Sequence, residues 1–208
     1  MRLRIGVALA VAVIALAALL AGPWSRGYRL SEILTGGAPL LPDGTRPAGG
    51  AADLSGNATL GTGQRPVTLH LACDPGGTGL SAALTVPGFA ELAQSFDFAG
   101  LEGSGSATLL TGILVSNAGS VRSLRMPVQG VAATGPDAGF TLTVTAARRG
   151  EDPLHGVALA LVQPGTKLTW TQASPRAGDP SLVATFTIAE SDAAALKTAL
   201  GGCLPAPF

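Results

Sequence analysis

The 208 residues carry 13 basic and 13 acidic side chains, and charged residues make up 12% of the chain, about half the usual 25% or so. A formal net charge of zero excludes a field that would steer the whole molecule onto nucleic acid, which is not expected among its partners. With only six Phe, two Trp and one Tyr, the core must be filled by Leu, Val and Ala, and the length leaves room for one domain of ordinary size.

The first element is Ile5 to Gly22, reading IGVALAVAVIALAALLAG behind Arg2 and Arg4. As a helix it is about 27 Å long, close to the ~30 Å of a bilayer's hydrocarbon core. It reads as an N-terminal transmembrane helix, with a cleaved export signal as the alternative. Cleavage needs small side chains one and three residues before the cut. A cut after Ala21 or Gly22 puts Leu19 or Leu20 at the outer of these positions, and Ala15-Leu16-Ala17 lies inside the run, so the anchor is the preferred reading. Pro23 stands where a lipidated cysteine would have to be, which excludes a lipoprotein anchor. Trp24 and Tyr28 suit the membrane interface.

Arg26 and Arg29 nearly balance the charges ahead of the run, so orientation rests on the cysteines. Cys73 and Cys203 are the only two and form no C-x-x-C pair. An even pair in an exported domain predicts a disulfide, with two separate buried thiols as the alternative. The expected placement is therefore single-pass in a bacterial inner membrane, with the C-terminal domain in the periplasm.

Residues 23–66 are punctuated by Gly36-Gly37, Pro39, Pro42, Asp43-Gly44, Pro47 and Gly49-Gly50, which predicts a flexible linker. Within it, Leu30 to Leu34 could form one helical turn, and Asn57-Ala58-Thr59 matches a glycosylation acceptor pattern that three-residue chance explains. The β-domain is expected over 67–208. Alternation marks strands at Val67–Cys73, Leu80–Val86, Ser106–Val115, Val121–Met126, Val128–Ala133, Phe140–Thr145, Leu168–Thr171 and Leu182–Ile188. Phe96 and Phe98 are expected on one face of a further short strand, after a helical turn at Phe89–Gln94. Ser116-Asn117-Ala118-Gly119 predicts a hairpin turn, Pro127 an edge or bulge, and Arg148–Pro153 a polar turn. The nearly all-apolar Leu154–Val162 suits a central strand. Ser191, Asp192 and AAALKTAL predict a terminal helix stopped by Gly201-Gly202, with Leu196 and Leu200 docked on the sheet. The class is all-β: a sandwich or small barrel of about eight short antiparallel strands with one C-terminal helix, preceded by the transmembrane helix and linker.

The chemistry-bearing residues are sparse. His70 and Cys73 point to opposite faces of a strand, so they do not make a metal pair. His155 is expected at the sheet rim, and no G-x-S-x-G elbow is present. Gly77-Thr78-Gly79-Leu80-Ser81-Ala82 fits a loose nucleotide pattern but leads into a strand where that pattern needs a helix, so it reads as a glycine turn. Asp74, Glu91, Asp97 and Glu102 fall near turns at irregular spacing. Thr141, Thr143 and Thr145, Thr169 and Thr171, and Thr185 and Thr187 form hydroxyl rows that suit the wet face of any sheet.

No catalytic, cofactor or metal set emerges. The expected function is a membrane-anchored envelope protein whose extracytoplasmic β-domain acts as a non-enzymatic accessory or interaction module for an envelope partner. The alternative is a cleaved, soluble module that binds a small ligand or glycan between its sheets.

Overall fold

The computed structural model describes residues 49–75, 79–103, 109–135, 138–146 and 153–204. The expected transmembrane helix, residues 23–48 of the expected linker, the Gly76 to Thr78 part of the glycine turn, Ser106 to Thr108 and the Arg148 to Asp152 part of the polar turn lie outside them. Among the described residues no helix is long and apolar enough to cross a membrane.

Nine described strands form one antiparallel sheet: β1 (Gly50–Leu60), β2 (Gly63–Cys73), β3 (Leu80–Pro87), β4 (Leu110–Asn117), β5 (Ser120–Pro127), β6 (Gln129–Ala132), β7 (Gly139–Ala146), β8 (Lys167–Gln172) and β9 (Leu182–Thr187). Among the described residues two α-helices accompany it, α1 (Pro153–Leu161) and α2 (Glu190–Leu200). The strand order is β5-β4-β8-β9-β1-β2-β3-β7-β6. Helix α1 touches β4 and β5 at one end of this order and β7 near the other, which requires the sheet to curl around it into a half-barrel. Helix α2 packs on β1 and β2. The two helices and the phenylalanines described below occupy the concave side, where the second sheet of a sandwich would have to pack. The described residues are therefore mostly β and antiparallel, as expected, but among them the strands make one curled half-barrel sheet in place of a two-sheet sandwich or a closed barrel, and a second helix is present.

The strict alternation of the sequence is what lines the concave face. Leu54, Leu69, Leu84 and Leu142 are cross-strand neighbours on β1, β2, β3 and β7, and all four are buried. On the other half, Ile113 of β4, Trp170 of β8 and Ala184 of β9 form the matching row. Helix α2 adds Leu196 and Leu200, both fully buried as expected.

Order begins before Val67. Residues 50–66, expected in the linker, make β1 and the start of β2, and β1 is a central strand between β9 and β2. Its glycines are points of close approach, not of slack. A Cβ on Gly50 would lie 2.5 Å from the Ala199 carbonyl oxygen of α2. One on Gly56 would lie 2.4 Å from the Phe186 ring and 2.5 Å from the Thr185 carbonyl oxygen. Small residues and only two leucines leave β1 with weak alternation, and pairing on both sides forms it nonetheless.

Leu154–Val162 is the second correction, because it belongs to a helix and not to a central strand. Leu154, Val157, Ala158 and Leu161 follow the helical spacing and are buried, and Pro153 suits a first helical turn, where a missing N–H leaves no bond unmade. His155 goes with them: it is 1% exposed inside α1, not at a sheet rim.

Phe96 and Phe98 are buried but lie among tight turns, with 3-10 helices at Phe89–Leu92 and Ala99–Leu101, and not on a strand. There they pack with Phe89 and Phe140, with ring centroids 4.6 to 5.5 Å apart. At the start of α2 the cap is Ala189, not Ser191, and the Asp192 carboxylate accepts the Ala189 N–H at 3.2 Å. The helix ends at Leu200 as expected, and Gly201 closes it in right-handed conformation.

Candidate functional site

The convex face carries the hydroxyl rows. Thr169 and Thr185 face one another across β8 and β9, and Asn57 of β1 continues that row. A second row runs Ser55, Thr68, Thr85, Thr141 across β1, β2, β3 and β7, and the Thr85 and Thr141 hydroxyls are 3.2 Å apart. On the same face His70 and Asp53 are cross-strand partners, with Nδ1 and Oδ1 2.6 Å apart and both side chains about half exposed or more. Among the described residues no hydroxyl or thiol is hydrogen-bonded to His70, so the pair is placed as a surface contact. Cys73 lies on the opposite, buried face and is bonded to Cys203, with Cα atoms 5.8 Å apart.

The expected carboxylates take separate positions. Glu91 pairs with Arg65. Asp97 accepts the Gly100 N–H at 3.1 Å, and Glu102 accepts that of Ala132 at 3.1 Å. Asp74 sits at the end of β2, where its Oδ2 fills the space that a Cβ on Gly79 would need. Gly79 leads directly into β3, a strand and not the helix that the loose nucleotide pattern needs. Arg176 and Asp179 form a further pair, and Arg176 also donates to the Gln94 carbonyl, so the loop over 173–180 is tied to the turns before Phe96. Its hydrogen bond to Arg176 holds the Asp179 carboxyl below its ordinary range, against partial burial and with help from the Ser174 hydroxyl. Inside the curl, Trp170 Nε1 and Gln172 Oε1 on β8 have no protein partner among the described residues.

The feature of the surface that departs most from an ordinary wet sheet is the convex side of β4 and β5. Leu110 (49% exposed), Leu114 (41%) and Val121 (63%) project there. Gly112 lies between the two leucines on the same face of β4 and makes the floor of a groove of about 400 Å³, walled by Leu110, Leu114, Ser123, Arg125 and Thr171. No crowding demands a glycine at this place. A Cβ on Gly112 would meet only Thr171, at an ordinary 3.8 to 3.9 Å.

Among the described residues β5 is also an open edge. The Ala118-Gly119 turn has positive φ at both residues, 43° and 85°, the mirror-image turn that suits a two-residue hairpin. Such a turn makes Asn117 and Ser120 a hydrogen-bonded pair, and pairs alternate from there along the strands. The N–H and C=O groups of Val121, Ser123 and Arg125 therefore point away from β4. Pro127, with no N–H, is the last residue of β5 and takes the edge position its sequence predicts, and the Val128 N–H still bonds the Leu109 carbonyl at 3.2 Å just beyond it. The other edge is handled differently: β6 has four residues, and Glu102 bridges to Gly130 and bonds Ala132.

Charge adds a third property. Arg122 and Arg125 are exposed on β5, Lys167 is exposed on β8, and among the described residues none of them meets a carboxylate. Arg122 reaches across Gly156 of α1, while Arg125 borders the groove. None of these residues stood out in the sequence. The signal was present, however, in LTGILVSN, which is apolar on both faces although it lies only one strand from an edge.

The chain matches no protein-family model, no curated protein and no solved structure. The reading of the site therefore rests on its own geometry.

Proposed function

We propose that this chain is a non-enzymatic accessory protein of the bacterial envelope, held in the inner membrane by residues 5–22, whose β-domain works in the periplasm by binding another protein. The apolar run supports the anchor. The Cys73–Cys203 disulfide supports a compartment that is not reducing. The observation that carries the binding reading is the β4–β5 surface, where exposed Leu110, Leu114 and Val121 adjoin an open strand edge. Exposed leucines grouped beside unpaired backbone groups are costly to leave facing water and are suited to a partner.

The test is affinity purification of the full chain from crosslinked membranes, wild type beside Leu114→Asp. A partner that is recovered with wild type and lost with the variant is expected. Identical recovery from both, or no specific partner at all, contradicts the reading.

A small-ligand reading has one observation of its own, the buried donor and acceptor of Trp170 and Gln172 on the concave side. On that reading the polar ligand binds inside the curl and not between two sheets. A thermal shift with a sugar panel that Gln172→Leu removes would favour it over the protein-binding reading.

A further inference from the structure

We infer that the partner reaches this domain as an extended acidic segment that pairs with β5 as a tenth strand, laying a large apolar side chain in the Gly112 groove. The inference rests on the protein-binding reading and names the chemistry of what binds. Val121, Ser123 and Arg125 turn three consecutive pairs of backbone groups outward, so the edge offers a template for a strand. Ser123 is the small residue between that edge and the groove. A partner side chain directly opposite it passes over its hydroxymethyl group and reaches Leu114 and Gly112.

Two residues along the same face stands Arg125, and on the other face stands Arg122. Among the described residues neither guanidinium group meets a carboxylate. The complementary segment is therefore extended, with an apolar residue opposite Ser123 and carboxylates opposite Arg125 and Arg122. A second copy of this chain fits less well, because pairing two β5 edges would gather the arginines of both copies along one seam with no acid between them. An anionic lipid surface would satisfy the arginines and leave the edge amides without strand partners.

The test is selection of random displayed peptides on the full chain in detergent micelles, followed by binding measurements on the synthetic winners. Enrichment of Asp or Glu two positions from a Leu, Ile, Val or Phe is expected. Affinity should fall at least tenfold with Gly112→Val, which raises a side chain from the floor of the groove with its Cβ at ordinary contact distance from Thr171, and with Ser123→Pro, which removes an outward N–H from an edge position that tolerates proline. Arg125→Glu should weaken the same peptides, and exchanging their acid for Lys should restore binding to that variant.

Circular dichroism and the intact disulfide check that each variant folds, and Gly112→Val carries the test if Ser123→Pro does not fold. Winners without acids, or affinities indifferent to Gly112→Val, overturn the inference. So does self-association that Ser123→Pro removes, which makes the occupant a second copy. Binding to phosphatidylglycerol vesicles with no peptide binding overturns it in favour of membrane. If it falls while a crosslinked partner still depends on Leu114, the protein-binding reading stands and only the chemistry assigned to the partner fails.

Discussion

Cys73, the last residue of β2, is bonded to Cys203, three residues past α2, across a sequence separation of 130. Because α2 already packs on β1 and β2, the bond pins the C-terminal helix to the strand it touches. Closing so long a loop is worth up to about 5 kcal/mol of unfolded-chain entropy. Reduction, or Cys73→Ser with Cys203→Ser, is expected to lower Tm by on the order of 10 °C or more for a domain of this size. Differential scanning calorimetry with and without reductant checks this, and equal melts would remove the bond from the stability of the fold.

Two glycines on strands should respond in opposite ways. At Gly56 a methyl group would meet both a ring and a backbone oxygen at about 2.5 Å or less, and the backbone cannot move aside cheaply. Gly56→Ala is expected to cost about 1 to 3 kcal/mol. At Gly112 a Cβ meets only Thr171 at ordinary contact distance, so Gly112→Val should be neutral or mildly stabilising, since valine favours strands where glycine does not. Urea denaturation of both variants separates them, and equal losses would contradict the close approach assigned to Gly56.

Thr166 joins three elements through one hydroxyl. Its Oγ1 accepts the Asn117 Nδ2 hydrogen at 2.7 Å, and its own proton lies toward the Ala160 and Gln163 carbonyls at 2.9 and 2.7 Å, with the residue fully buried. The end of α1 is thereby held to the tip of the β4–β5 hairpin. Thr166→Val keeps the shape but puts a methyl group where the part-buried Asn117 amide and the two carbonyls shared a buried hydroxyl, so a loss of about 1 to 2 kcal/mol is expected. Hydrogen exchange should show faster exchange of the hairpin amides, and unchanged exchange would show that the hairpin does not depend on this contact.

The loop over 173–180 should loosen in acid. Asp179 is lowered in the folded state by its bond to Arg176, so the unfolded chain takes up the proton first as pH falls. That stability is complete above the unfolded value of about 4 and is lost as pH drops through the lower folded value. Between pH 5 and pH 3, wild type should therefore lose more Tm than Asp179→Asn, which has no proton to take up. Equal losses for the two proteins would contradict the sign.

The sequence carried the strands with clean alternation, and β3, β5, β7, β8 and β9 lie within a residue or two of where Leu80–Val86, Val121–Met126, Phe140–Thr145, Leu168–Thr171 and Leu182–Ile188 put them. It also carried the cysteine pairing. It failed where residue type and tertiary role part company. Gly50 and Gly56 look like linker punctuation but are needed because α2 and Phe186 press against them. Leu154–Val162 is apolar on almost every side, and a short run of that kind fits a buried helix as well as a buried strand. The spacing of Leu154, Val157, Ala158 and Leu161 was the discriminating signal. The candidate surface was hidden for a different reason: Leu110 and Leu114 look like core until the strand order shows that only β5 lies beyond them.

The most direct measurement places a photo-crosslinking residue at position 123 of the full chain in membranes, with position 143 on the convex face near the far edge as the control. A discrete adduct from position 123 that weakens with Arg122→Glu and Arg125→Glu, and none from position 143, is the expected result. Adducts of equal yield from both positions, or none from position 123, would contradict the assignment of β5 as the surface through which this protein acts.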